Sequence, residues 1–329
     1  MPDAHPNPPV HHGRSLPLRV GTRGSPLARR QTRLFLELLT RFCPVLEMGV
    51  QGQAVFEEHV IRTTGDVVQD RNLAEIGGKG LFSKEIHEAL LDRRIDFAVH
   101  SLKDLETELP PGIVLACTLK REDARDALIL GSACGAGEGL GVLPHGAVIG
   151  TNSLRRQAQL LHARPDLRTA LLRGNVEPRI EKVRRGDCTA SLLALAGIRR
   201  LGLSDVPMVV LDADVMLPSA GQGIVGITVR VADGPLHGLL SGIEDPEARA
   251  VSTAERAMLA VLDGNCRTPI GGYARLLDGG ELMLTGLVAR ADGSFLLKRS
   301  LRGAAGDAAA IGAELGAALR ADSPGDVFG

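Results

Sequence analysis

Leu18-Arg19-Val20-Gly21-Thr22-Arg23-Gly24-Ser25-Pro26-Leu27-Ala28 is the stretch whose reading decides the fold. Residues 18–22 read as a short buried strand, and the chain turns at Gly24 into a helix expected over 26–42. Pro26 suits the first helical turn, where its missing N–H costs nothing. Ser25 reads equally well as a plain N-cap and as a ligand contact, with Arg23 beside it over the sheet edge. Outward from this stretch the same alternation continues. Residues 55–63 are strand-like, 81–91 have helical spacing, and 96–100 form another short strand. After a Gly-rich stretch, 131–146, which reads as a linker or surface loop between two units, the rhythm restarts. Strand 147–150, helix 153–162, strand 168–172, helix 176–185 and strand 189–194 follow, with further strands at 209–212 and 224–229. This pattern predicts an α/β fold of doubly wound sheets with helices on both faces. Function in such sheets sits in the loops at the carboxyl ends of the strands. Residues 244–262 form an amphipathic helix, apolar at Ala248, Val251, Ala254, Met258 and Val261. Three short strands (270–277, 281–290, 294–301) and an Ala-rich helix (307–320) then read as a small α+β unit.

The 329 residues, 44% hydrophobic and 23% charged, allow two or three domains of ordinary size. A net charge of −1, no Trp and a single Tyr speak against nucleic-acid binding, which needs a basic surface or stacking platforms. Residues 1–17 are rich in Pro and His without an apolar run, and read as a disordered tail, not a signal peptide. No stretch is long and apolar enough to span a bilayer. Cys43, Cys117, Cys134, Cys188 and Cys266 are scattered and odd in number, which argues for a reducing cytoplasm and against a disulfide framework or metal site.

Charge is uneven. Residues 151–200 hold eleven basic side chains against four acidic ones. Arg184, Arg185 and Arg199 read equally well as solvated helix faces, but other arginines stand where strands end and helices begin. There, backbone N–H groups already favour anions, and guanidinium groups suit bidentate carboxylate recognition. An anion-binding cleft between the two α/β units is expected. Residues 76–85, Ile-Gly-Gly-Lys-Gly-Leu-Phe-Ser-Lys-Glu, resemble a generic anion loop in which Lys79 reaches a carboxylate, but fail the P-loop pattern. Ala98-Val99-His100-Ser101-Leu102-Lys103-Asp104-Leu105 runs a buried strand straight into polar groups. Asp104 beside Lys103 is either a surface ion pair or, in a cleft, a carboxylate that stabilises developing positive charge. Cys117 and Cys188 are read as packing residues. Cys266, on the turn Asp263-Gly264-Asn265-Cys266-Arg267, has no neighbours for an apolar shell and is a candidate attachment point or nucleophile.

These segments, with Gly150-Thr151-Asn152-Ser153-Leu154-Arg155-Arg156, Leu172-Arg173-Gly174-Asn175-Val176 and Leu217-Pro218-Ser219-Ala220-Gly221-Gln222-Gly223, resemble the porphobilinogen deaminase (hydroxymethylbilane synthase) family in order and spacing over residues 18–301. The resemblance implies two α/β domains of the periplasmic-binding-protein type, plus a small α+β domain that carries a cofactor cysteine. By that likeness domain 1 spans 18–119 and 224–241, domain 2 spans 120–223, and domain 3 spans 242–329. The implied activity joins four porphobilinogen molecules head to tail with loss of ammonia, then releases hydroxymethylbilane by hydrolysis. The chain grows on a dipyrromethane cofactor, with Cys266 matching the thioether anchor and Asp104 the catalytic carboxylate. Ser101, Lys103, Ser153, Arg155, Arg156, Thr151 and Lys79 match the cofactor side; Arg23, Ser25, Arg173, Arg179 and Arg200 match the substrate side. No metal is implied, and a cytoplasmic monomer is expected. Three positions depart from the family pattern: Glu75 for a common Lys, Glu177-Pro178 before Arg179, and Asn265 for Gly. Read from residues alone, the cleft would also suit a non-catalytic anion-binding protein or an enzyme-like relic unable to assemble the cofactor. A binding protein has no need of Cys266 on a loop or of Asp104 facing an anionic ligand.

Overall fold

Local chemistry sets the first βα unit of the computed structural model, which describes residues 10–11, 14–43, 55–67, 80–262 and 268–328. A two-residue ladder pairs β1 (Val10–His11) with β2 (Arg14–Ser15). Leu16 is buried in the same core as Leu18. Strand β3 (Leu18–Arg23) leads into α1 (Pro26–Phe42), whose Ser25 cap accepts the Ala28 N–H at 3.2 Å, with Pro26 opening the helix. Strand β4 (Phe56–Ile61), the short α2 (Thr64–Val67) and α3 (Lys84–Leu91) follow, then β5 (Phe97–Ser101) and β6 (Ile113–Thr118). After a crossing, β7 (Asp126–Leu130), β8 (Val148–Thr151), α4 (Leu154–Ala163), β9 (Arg168–Leu171), α5 (Val176–Arg184), β10 (Ala190–Ala194), α6 (Leu195–Arg200) and β11 (Met208–Val210) build a second unit. The chain then crosses back through β12 (Val225–Arg230) to α7 (Gly234–Ser241) and α8 (Pro246–Val261). It ends in β13 (Ile270–Leu276), β14 (Glu281–Ala289), β15 (Leu296–Ala304) and α9 (Ala308–Asp322).

The first sheet has the order β4-β3-β5-β12-β6 and the second β11-β7-β10-β8-β9. Both are mixed: β12 runs antiparallel to β5 and β6, and β7 antiparallel to β10 and β11. Every residue of β12 is buried, as a central strand covered on both faces requires. The Gly-rich stretch 131–146 joins β7 to β8 within the second sheet, so it is a surface loop and not a linker between units. Phe35 of α1 meets Phe97 of β5 edge-on at 5.7 Å, at the centre of a core with Val20, Leu39, Val99 and Ile227. In the third sheet, β13-β14-β15, α8 and α9 pack on one face through Val251, Ala254, Met258, Ile311, Leu315 and Leu319. The two helices touch at Gly312, where a side chain would collide with the Ala254 carbonyl. Cys117 and Cys188 are buried, and burial pushes the Cys117 thiol up to about 12. Among the described residues no helix is long and apolar enough to cross a membrane.

Glu255 on α8 gathers the two crossings and the third sheet at one point. It is fully buried and accepts from Arg121 Nη1 at 2.6 Å, Gly221 N–H at 2.7 Å and Ala274 N–H at 2.7 Å. Arg121, on the outgoing crossing, also donates to the Gln222 carbonyl on the return crossing at 2.8 Å. Glu255→Ala leaves Arg121 and two buried N–H groups without their acceptor, and is expected to cost about 3–5 kcal/mol. Urea denaturation of wild type and variant checks this; an unchanged midpoint would show that the crossings hold without Glu255.

Candidate functional site

The two mixed sheets turn the ends of their parallel strands toward one cleft, about 380 Å³, and a smaller adjoining cavity of about 230 Å³. Strand β3 delivers Arg23, and β5 ends in the 3-10 turn Leu102–Asp104 that presents Lys103 and Asp104. Strand β8 delivers Asn152 and Ser153, and α4 supplies Arg155 and Arg156. From the end of β9 come Arg173 and Gly174, and from α5 Arg179. Ser219 and Gln222, on the return crossing, close the floor.

Beneath the arginines lies Asp126, at the start of β7 and inaccessible to solvent. Its Oδ2 accepts from Arg155 at 2.7 Å and its Oδ1 from Arg156 at 2.8 Å. Burial alone pushes the Asp126 carboxyl up, but the charges of Arg155 and Arg156 and their hydrogen bonds outweigh it, holding the group below the usual carboxylate range. Gln222 extends the network: its amide NH₂ donates to Asp126 Oδ1 at 2.8 Å, and its Oε1 accepts from Lys103 Nζ at 3.2 Å. Burial, with the nearby charge of Arg156, brings the Lys103 ammonium down to about 8. The same two causes bring Arg179 down to about 9. Cations so desolvated take up anions to restore what burial removed. Three buried atoms that belong to cleft-lining residues, Arg156 Nε, Arg179 Nε and Asn152 Oδ1, have no hydrogen-bond partner among the described residues.

Arg23 forks between two carboxylates, donating to Asp66 Oδ1 at 2.6 Å and Asp104 Oδ2 at 3.3 Å, with its guanidinium 4.2 Å from the Phe82 ring centroid. The Asp104 side chain is 27% exposed and faces both cavities. Ser101 Oγ donates to Gln31 at 3.0 Å, and Arg179 donates to the Leu192 carbonyl at 2.9 Å from the first turns of α5, Glu177-Pro178 notwithstanding. Arg173 reaches across the cleft to the Gly65 carbonyl at 3.3 Å. Ser25 and Ser153 act as helix caps and also line the cavities.

Two expected members stand elsewhere. Thr151 is buried, accepts the Ser153 N–H at 3.2 Å and lines neither cavity; it shapes the turn before α4. Arg200 donates to the Gly223 carbonyl at 2.7 Å and lines a separate cavity behind α1, because α6 faces away from the cleft. Lys79 and Cys266 lie outside the described residues, as do Glu75 and Asn265. Thr268, two positions after Cys266, lines the cleft. Asp126, Gln222, Asp66 and Phe82 were not read from the sequence. The signal available for Asp126 was a carboxylate heading the apolar run Ala127-Leu128-Ile129-Leu130.

Family models match most of the chain: "porphobilinogen deaminase, dipyromethane cofactor binding domain" over residues 18–237, and "porphobilinogen deaminase, C-terminal domain" over 250–321. A porphobilinogen deaminase of Paracoccus denitrificans is 45% identical over 314 residues, 95% of this chain and 96% of the relative. One from Nitrobacter winogradskyi is 46% identical over 92% of each chain. A chloroplastic one from Oryza sativa subsp. japonica is 46% identical over 87% of this chain and 78% of its own.

Lys103 carries its charge below pH about 8 and loses it above. Carboxylate affinity of cofactor-free protein is therefore expected to fall as pH rises through that value, and Lys103→Gln to remove the break. Titration with a dicarboxylate between pH 6 and 9.5 checks this; a break unchanged in the variant would assign it to another group.

Proposed function

The chain belongs to the porphobilinogen deaminase family, and from that membership we propose that it condenses four porphobilinogen molecules head to tail, releases ammonia at each step, and frees hydroxymethylbilane by hydrolysis. The observation that carries this reading is the setting of Asp104. It is a partly exposed carboxylate in a cleft whose other charged walls are cationic, except for Asp66, which Arg23 holds. A cationic cleft alone binds anions; a carboxylate set among those cations gives the bound molecule's positive centre a partner.

The family's dipyrromethane cofactor fits the residues present. Arg156 Nε and Arg179 Nε are buried donors without a described partner, and ring carboxylates supply what such donors lack. Lys103, Arg155, Arg156, Ser101 and Ser153 would hold it, with Lys79 a further contact and Cys266 the thioether anchor. When bound, the cofactor supplies the pyrrole carbon to which the substrate is joined. On the substrate side Arg23, Ser25, Arg173 and Arg179 orient the acetate and propionate of porphobilinogen. As ammonia leaves, positive charge develops on the substrate pyrrole. The Asp104 carboxylate accepts a hydrogen bond from the pyrrole N–H and stabilises that charge, while Arg23 keeps the carboxylate aimed. Gln222 fixes Lys103 through its amide oxygen, so the cation next to Asp104 is also held in place.

The same reading assigns 18–119 with 224–241 to a first domain, 120–223 to a second and 242–329 to a third. The position of β12 between β5 and β6, and the attachment of α8 through Glu255, support it. A reducing, cytoplasmic setting agrees with the unpaired Cys117 and Cys188, and a monomer is proposed from family membership alone.

Asp104→Ala is expected to keep the fold and lose turnover by about a hundredfold or more. Steady-state assay with porphobilinogen checks this, and near-normal turnover would remove Asp104 from the mechanism. Cys266→Ala is expected to fold, yet to show neither the colour of a pyrrole reagent nor activity. Full activity in that variant would sink the anchoring assignment.

A further inference from the structure

Behind the turn that carries Arg23 and Ser25 lies a second basic cavity, about 530 Å³, which the proposed reaction does not use. Five arginines line it, Arg29, Arg30 and Arg33 from α1 and Arg199 and Arg200 from α6, and no acidic side chain does. Two of the five are neutralised from the rim: Arg29 by Glu58 at 2.8 Å, and Arg199 by Glu122 at 2.9 Å and Asp123 at 3.5 Å. The other three are not. Arg200 donates to a carbonyl, and burial lowers its hold on its proton although Glu122 opposes this. Arg30 and Arg33 form no ion pair with a described residue.

This cavity shares no lining residue with the catalytic cleft or its adjoining cavity. Leu27 stands between them, close against Gly197 of α6. Three guanidinium groups from two helices, Arg200 half-buried and Arg30 and Arg33 exposed, have no carboxylate in ion-pair range among the described residues, and together exceed what one carboxylate or phosphate group can satisfy by a bidentate fork. The volume falls in the range of small-ligand sites, about 300–1,000 Å³.

We propose that this cavity is a second anion site, which takes a compact oxyanion with two or more carboxylate or phosphate groups and ties α1 to α6. Helix α1 continues from the strand that holds Arg23, and α6 continues from β10, whose Leu192 carbonyl holds Arg179. An anion gripping both helices therefore couples the two walls of the catalytic cleft from behind. The anion's chemistry has two sources, a free oligophosphate or the carboxylated pyrroles of the reaction itself.

The test is calorimetric titration of the cofactor-loaded protein at constant ionic strength with tripolyphosphate and, separately, with propane-1,2,3-tricarboxylate. At least one probe is expected to saturate a single site. Its affinity should fall about tenfold or more in the double variant Arg30→Ala/Arg33→Ala and stay unchanged in Arg173→Ala, a cleft residue. Binding of tripolyphosphate alone assigns the free-phosphate source, and binding of the tricarboxylate alone the pyrrole source. The proposal is overturned if neither probe saturates, or if affinity falls in Arg173→Ala and not in the double variant. Binding is read without turnover, so the result is independent of the catalytic assignment.

Discussion

A carboxylate sealed from water lets this cleft exist. Arg155 and Arg156 are adjacent in sequence and both buried, and two such charges would repel strongly in a medium that screens them poorly. Asp126 sits beneath them and gives one oxygen to each. The cluster still carries net positive charge, because Lys103 joins it through Gln222 and Arg179 stands nearby. The result is a set of cations held in fixed geometry, short of partners on the cleft side. Removing one member of a buried group of this kind costs far more than removing a surface pair, because the remainder is left uncompensated. The same rigidity suits a site that meets a succession of carboxylated rings, since the donors need no rearrangement for each.

Asp126 does this only because the chain crosses between the sheets where it does. It begins β7 at the end of the outgoing crossing, and Gln222 sits on the return crossing beside it. The crossings are bonded to each other, Glu122 N–H to the Gly223 carbonyl at 3.1 Å, and both are tied to α8 by Glu255. Gly223 takes a φ of +89°, and a side chain there would run into the Glu122 carbonyl, so only glycine lets the crossings lie this close. The small C-terminal unit is thereby tied to the crossings, and it also packs on both α/β units, against Leu102 and Leu105 on one side and Ala158 on the other. Thr268, just before β13, brings this unit to the cleft wall.

Much of this could be read from local signals. Residues 26–42 were legible as a helix because Ser25, Pro26 and the apolar spacing agree. Lys103 and Asp104 stood out as polar groups at the end of an apolar strand, and the structure puts both in the cleft. What depended on distant partners was not legible. Strand β12 is central because β5 and β6, more than a hundred positions earlier, flank it. Asp126 is one carboxylate among many at the head of a strand until Arg155 and Arg156 arrive from α4. The glycines of 131–146 announced a loop but not which strands it joins. Arg200 had the right residue type in a basic region, and only the direction of α6 shows that it faces a different cavity.

The central claim is that this cleft carries a dipyrromethane anchored at Cys266. The intact mass of the purified protein, followed by peptide mapping across residues 263–267, tests it most directly. The account requires an increment equal to two condensed porphobilinogen units, confined to Cys266. A bare chain mass that persists after incubation with porphobilinogen, with Cys266 unmodified, would contradict it and leave a cationic cleft that binds anions without building on them.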